Sequence, residues 1–366
     1  MKKLIFLSFL IFIAAALFAQ PAKTGKRKPV YFSKEYFRIG GTAIPEKEKE
    51  NAYDRLPASY KDKVRKEVWD LSKTSAGINV SFRTNSTAIS ARWTVLNNLV
   101  MNHMAPAGIK GLDLYVRTAN GWQYVNTGKP SGKENEVTLI SNMSEATREY
   151  QLFLPLYDGM VSLEIGIDSG RMIEKPVAAT GKPIIFYGTS ITQGGCASRP
   201  GMAHTNIISR KLHTECINLG FSGNGRMEKP IAELMADTDA LFYVIDCLPN
   251  MTAGMVSTNT AALVETIRKK KPYTPIVLVE NTMYENAEHD LKLQAELKKK
   301  NEVLKNVYDS LLRKAIPNIY YINTGNELGN DHEGTVDGVH LTDLGFSRFA
   351  DFLLAQFRRF KLVPDK

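Results

Sequence analysis

From about residue 183 onward, short apolar runs alternate with amphipathic stretches, and few architectures accommodate that order. The runs are "PIIFYG", "ECINLGF", "ALFYVIDC", "PIVLVEN" and "NIYYINT". Each is nearly continuous in apolar residues, as a strand covered on both faces must be. Between them lie "MAHTNIISRKL", "KPIAELMAD", "NTAALVETIRKK" and a long stretch through "NEVLKNVYDSLLRK". In the last, Leu304, Val307, Tyr308 and Leu311 keep the i, i+3, i+4, i+7 spacing of a helix with one buried face. Five such βα alternations predict a parallel sheet with helices on both sides. A final helix is expected over "DLGFSRFADFLLAQFRRF". In a sheet of this kind ligands bind beyond the carboxyl ends of the strands.

The preceding part reads differently. "GINVSFRTNSTAISARWTVL" alternates apolar and polar residues around a "TNST" turn, as two hairpin strands do. "GLDLYVRTANGWQYVNTG" repeats the pattern around "ANG", and "REYQLFLPLYDG" and "VSLEIGID" add two more strands. Many short strands with turn signals predict a β-sandwich of jelly-roll type over residues 30–175, followed by the α/β domain over 176–366. Ahead of both, a basic start, an apolar stretch from Leu4 to Phe18 and a small residue, Ala19, have the layout of a secretory signal. Cleavage is expected after Ala19. Residues 20–29 are then expected to form a polar linker, and the mature chain to be periplasmic or secreted with no stable membrane anchor. The formal charge of +9 is scattered rather than drawn into a basic stripe with aromatics, so nucleic acid is not an expected partner. Cys196, Cys216 and Cys247 are odd in number and irregularly spaced, which is no disulfide framework and no zinc pattern.

The strand ends carry the chemistry. The first run of the α/β part ends in Gly188-Thr189-Ser190, the second in "NLGFSGNG", the third in "DCLPN", and past the fifth comes "NDHEGTVDGVHLTDLG". A serine hydroxyl becomes a nucleophile when a histidine takes its proton and a carboxylate fixes that histidine's tautomer. Ser190, His340 and Asp337 are the candidates for those roles. The oxyanion of the tetrahedral intermediate needs fixed N–H donors, for which the main chain of Ser190 and Gly223 and the side-chain amide of Asn250 are the candidates. Competing readings are weaker. Thr192 stands where the second glycine of a G-x-S-x-G elbow belongs. "GFSGNG" lacks the Lys-Ser or Lys-Thr of a phosphate loop. Asp331, His332, Asp337 and His340 are metal-ligand types without metal-site spacing, so neither metal nor cofactor is expected.

"GTSITQG", "NLGFSGNG", "DCLPN" and "DGVH", in that order and βα context, resemble the four blocks of SGNH (GDSL-type) hydrolases over about residues 180–360. The resemblance implies a flavodoxin-like three-layer α/β/α fold. It assigns Ser190 as nucleophile, Gly223 and Asn250 as oxyanion donors, and His340 as base supported by Asp337. Upstream, "GLDLYV" resembles the motif of the β-rich GxDLY domain that precedes some SGNH hydrolases. The sequence departs from the family pattern twice: Gly-Asp-Ser is Gly-Thr-Ser, and Gly-x-Asn-Asp is Leu248-Pro249-Asn250-Met251. The implied activity is hydrolysis of a small acyl ester. By analogy the substrate is an acetylated glycan. Against it stands a non-catalytic carbohydrate-binding protein with a vestigial triad. Arg199, after the nucleophile, and His103, in "MNHMAPAG", are candidate substrate-binding residues. The competing expectations are a surface salt bridge for Arg199 and a satisfied loop histidine for His103.

Overall fold

The computed structural model describes residues 28–177 and 180–365. The expected leader, and all of the expected linker except Lys28 and Pro29, lie outside the described residues. Ten strands come first: β1 (Pro29–Phe32), β2 (Arg38–Gly40), β3 (Asn79–Thr84), β4 (Ile89–Val95), β5 (Leu112–Thr118), β6 (Gly121–Gly128), β7 (Glu134–Ile140), β8 (Arg148–Phe153), β9 (Met160–Asp168) and β10 (Ile173–Glu174). They form two antiparallel sheets. One has the order β1-β9-β4-β7, the other β10-β3-β8-β5-β6 with β2 on β3. Alternate residues of each face a shared core: Ile89, Ala91, Trp93 and Val95 from one sheet meet Val80, Phe82, Leu114 and Leu152 from the other.

The expected hairpin around "TNST" does not form. β3 pairs with β8 and β4 with β9, so the turn carries the chain from one sheet to the other. The Asp168 carboxylate fixes this crossover. It accepts hydrogen bonds from Thr87 N (2.9 Å), Thr87 Oγ1 (2.6 Å), Ser86 Oγ (3.0 Å) and Ala88 N (3.2 Å). Alternation along two neighbouring stretches marks strands but does not say that they share a sheet.

Two helices interrupt the strands, α1 (Lys66–Ser72) and α2 (Pro106–Lys110). The α/β part follows as β11 (Ile184–Gly188), α3 (Ser190–Gln193), α4 (His204–Leu212), β12 (Cys216–Gly220), α5 (Lys229–Asp237), β13 (Phe242–Asp246), α6 (Ala253–Arg268), β14 (Ile276–Val279), α7 (Leu291–Arg313), β15 (Ile319–Ile322) and α8 (Asp343–Arg359). The five strands are parallel in the order β12-β11-β13-β14-β15. Side chains alternate across them. Ile185 and Tyr187 pack with α5, α6 and α7 on one face; Ile184 and Phe186 pack with α4 and α8 on the other. The chain goes one way from β11 to β12 and returns past it to β13, which puts the topological switch point, and the crevice it opens, at the end of β11.

The segment between β2 and β3 leaves the sandwich and packs on the α/β sheet. Leu56, Tyr60, Val64, Val68 and Trp69 join the core cluster of Ile185, Tyr187, Leu219 and Leu234. A fully buried Leu56 or Val68 contributes about 1.5–3 kcal/mol each. Beside them Arg55 is buried, with Nη1 donating to Gly220 O (2.6 Å) and Asn218 O (3.2 Å), and Nη2 to Leu71 O (2.7 Å) and Thr74 Oγ1 (3.0 Å). All three cysteines are buried and unpaired. Among the described residues no helix is long and apolar enough to cross a membrane.

Candidate active site

Ser190 is the first residue of α3, directly after β11, and is nearly buried. The turn is set by its neighbours. Thr189 Oγ1 accepts from Ile191 N (3.3 Å), and Gly194 ends the helix in the left-handed region at φ +107°. The turn is pinned from β12: Asn218 Nδ2 donates to Thr192 O (2.6 Å) and Ser222 N to Gln193 Oε1 (2.9 Å). It is pinned from the sandwich side too. Gln193 Nε2 donates to Leu156 O (3.1 Å), and Tyr157 Oη donates to Ser190 O (3.3 Å). Burial holds the Tyr157 phenol well above its usual pKa, so it stays a donor. A Cβ at Gly195 would lie 2.7 Å from Tyr157 Oη and 3.1 Å from His340 Cδ2, so a larger residue there would displace both rings.

The loop after β15 brings His340 and Asp337 to Ser190. His340 Nε2 is 2.9 Å from Ser190 Oγ, and its Nδ1 is 2.8 Å from Asp337 Oδ2. Asp337 Oδ1 also accepts from His340 N (2.8 Å) and Val339 N (3.1 Å), a local turn that the spacing Asp-Gly-x-His permits and that fixes carboxylate and imidazole as one unit. Burial alone raises the Asp337 carboxyl. The N–H of His340, its ring and the N–H of Val339 outweigh this and hold the carboxyl below its usual value. Asp337 is therefore ionised at neutral pH. With Nδ1–H donated to it, His340 presents the Nε2 lone pair to Ser190.

Gly223 adopts φ +69°, the left-handed conformation glycine tolerates. The Asn250 side chain is oriented onto that loop, its Oδ1 accepting from Gly225 N (3.2 Å), which turns Nδ2 away from that bond. Gly225 in turn packs on β11, where a Cβ would lie 2.0 Å from Gly188 O. The N–H groups of Ser190 and Gly223 have no backbone acceptor among the described residues. Gly223 and Asn250 thus lie on the loops that follow β12 and β13, on the same rim of the sheet as Ser190. The departure from Gly-x-Asn-Asp leaves the asparagine on the rim.

Asp246, at the end of β13, is a buried carboxyl on the same rim and is not among the residues expected there from the sequence. It is buried beneath α3, 3.4 Å from Thr192 Oγ1, and burial pushes its carboxyl up to about 7. Its position beside the Asn250 block was the available signal. Tyr157 had none, because its role depends on the packing of the two domains.

The structure places His103 in the loop between β4 and α2, reaching over from the sandwich with its ring centroid 5.7 Å from that of His340. Its Nδ1 is 2.8 Å from Asn102 Oδ1. Arg199 is engaged elsewhere. Its Nη1 donates to Asp113 Oδ2 (2.6 Å) and Tyr115 Oη (2.7 Å), its Nη2 contacts Met202 Sδ (3.2 Å), and the guanidinium lies 4.0 Å from the centre of the Tyr124 ring. Asp113 is fully buried and also receives Gly201 N (2.9 Å) and Thr127 Oγ1 (2.7 Å). The Asp and Tyr of "GLDLYV" therefore bind the loop that follows the nucleophile, and Arg199 is the cation of that interdomain contact.

Two family models match the chain: a GDSL-like lipase/acylhydrolase family over residues 181–358, and the N-terminus of SGNH-hydrolase-type esterases over 30–173. A protein from Bacteroides ovatus ATCC 8483 described as a GDSL-like lipase is 36% identical with a TM-score of 0.88, across 92% of this chain and 99% of that one. The salicylyl-acyltransferase SsfX3 from a tetracycline biosynthetic pathway shares the fold at 17% identity and TM-score 0.76, across 92% and 99%. A family two carbohydrate esterase from Clostridium thermocellum, in complex with cellohexaose, shares it at 13% and 0.57, across 79% and 94%. No curated protein matches.

Proposed function

The chain belongs to the GDSL-like lipase/acylhydrolase family of ester-hydrolysing enzymes, and we propose that it is an exported esterase that cleaves small acyl esters, acetyl above all, through an acyl-enzyme on Ser190. The observation that carries this reading is the unbroken line from Asp337 Oδ2 through His340 to Ser190 Oγ, with links of 2.8 and 2.9 Å. In the first step His340 Nε2 takes the proton of Ser190 as Oγ attacks the acyl carbon. The oxyanion is held by the N–H groups of Ser190 and Gly223 and by Asn250 Nδ2. His340 then gives the proton to the leaving alcohol, and water, deprotonated by the same nitrogen, releases the acid.

An acetylated glycan is the substrate class we favour. The support is a fold shared with a carbohydrate esterase and the expected export of the chain. The alternative, a carbohydrate-binding protein with a vestigial triad, gains nothing from a triad at hydrogen-bonding distances. The test is hydrolysis of p-nitrophenyl acetate by the mature protein, beside Ser190→Ala and His340→Ala. Each variant is expected to lose at least about 10³–10⁴ in kcat. Equal rates in all three proteins would refute the mechanism. Release of acetate from acetylated xylan or glucomannan tests the substrate class separately.

A further inference from the structure

We infer that the mouth of the catalytic triad is also a binding site for a zinc-type divalent ion, held by His103, Cys196, Asp337 and His340, and that its occupancy inhibits the enzyme. Metal binding here is independent of the proposed esterase activity; only the inhibition rests on it.

One ligand atom from each of the four residues lies within 4.8 Å of every other. The set comes from three separate places in the chain: the β4–α2 loop, the turn after α3, and the loop before α8. Two imidazoles, a thiol and a carboxylate are the donors that zinc takes in tetrahedral sites. With metal–ligand distances of about 2.0–2.3 Å, ligand atoms around tetrahedral zinc sit roughly 3.5 Å apart. Side-chain rotations of about an ångström therefore close the site. His103 is on a surface loop and half-buried, so it has room for this movement.

The position of Cys196 is otherwise unexplained. It follows the Gly194–Gly195 turn with its own backbone in the left-handed region at φ +73°, which brings its buried side chain to the triad. A divalent cation supplies the positive charge that the site lacks. On binding, the Cys196 S–H bond breaks, its proton passes to solvent and a metal–sulfur bond forms, with no change of oxidation state. Thiolate and Asp337 carboxylate together neutralise the ion.

Inhibition follows from His340. If it offers Nε2, the metal takes the lone pair that accepts the Ser190 proton. If it offers Nδ1, the metal replaces the bond to Asp337 and reverses the tautomer. Either way the triad is broken while the metal is bound.

The experiment is calorimetric titration of tag-free, chelator-treated protein with zinc chloride, with cobalt(II) as the optical probe. Wild type is expected to bind one zinc, and its cobalt complex to show thiolate-to-cobalt charge-transfer absorption. Cys196→Ser and His103→Ala should each weaken zinc by more than about tenfold, the lower end of what loss of even an outer-shell partner costs a metal site. Ser190→Ala, which has no acyl transfer to inhibit, should bind zinc like wild type. Zinc should stop p-nitrophenyl acetate hydrolysis by wild type, and chelator should restore it. Absence of one-to-one binding, wild-type zinc affinity in both ligand variants, or a cobalt complex without the thiolate band would overturn the site. If wild type does not hydrolyse the ester at all, that result falls on the esterase reading, and the titrations still decide the metal site.

Discussion

His204 opens α4 and is fully buried among aromatic rings: Phe346 stacks on it at 5.9 Å, and Phe349 and Phe186 meet it edge-on at 5.1 and 5.8 Å. Neither ring nitrogen has a hydrogen-bond partner among the described residues. Burial pushes its pKa down from 6.5 to about 3, with no compensating charge. Between those values the unfolded chain holds a proton that the folded chain refuses, so stability must fall as pH falls through that window and level off below it. From pH 7 to pH 4.5 the loss from this one residue is roughly 2.5 kcal/mol, at about 1.36 kcal/mol per pH unit once below 6.5.

The perturbation is His204→Phe, with His204→Leu as a smaller replacement. Any packing gain or loss in the variants offsets their stability by the same amount at every pH, whereas the proton contribution changes with pH. Asp246 works the other way. Its carboxyl is raised to about 7 by burial, so it contributes stability at low pH that is lost as pH rises from its unfolded value towards 7. The wild-type curve alone can therefore look flat, and the difference between proteins is the informative quantity. Urea unfolding at pH 7.0 and 4.5 should show both variants gaining roughly 2.5 kcal/mol on wild type as the pH drops. Parallel pH dependence in all three proteins would refute the reasoning, because it would mean that His204 is protonated, or partnered, inside the fold.

Two further outcomes follow from the site. Asn250→Ala is expected to lower kcat by roughly 10²–10³ with KM little changed, because its amide acts on the oxyanion alone; unchanged kcat would remove it from the oxyanion hole. Arg199→Ala strands the buried Asp113 carboxylate and should destabilise the protein by about 3–5 kcal/mol in chemical denaturation. Arg199→Lys should rescue only in part, since a lysine cannot reach both Asp113 and Tyr115 while lying flat on Tyr124. A rise in KM without loss of stability would instead return Arg199 to substrate binding.

Those two positions mark what a sequence of this kind discloses. The parallel sheet was legible because burial on both faces leaves apolar runs that need no partner to recognise. The triad was legible because strand ends converge by topology, so residues far apart in the chain fall on one rim. Asp337 and His340 were the plainest, since their mutual geometry is built by four consecutive residues. Arg199 was not legible, because its meaning depends on Asp113, 86 positions earlier, and nothing local links them. The failed β3–β4 hairpin has the same origin: alternation reports which face is buried, and the turn is held by Asp168 and Met172, far along the chain.

The same long-range contacts bear on catalysis. The nucleophile turn is held by β12 through Asn218 and Ser222, and by the sandwich through Tyr157 and the carbonyl of Leu156. Each buried hydrogen bond contributes only about 1 kcal/mol to stability, but a nucleophile displaced by about 1 Å can lose a hundredfold in rate. The segment that carries Arg55 and Leu56 binds the back of the same sheet, at the carbonyls of Asn218 and Gly220. The sandwich holds α3 and its excursion holds β12, so the position of Ser190 Oγ is a property of the whole chain rather than of the α/β half.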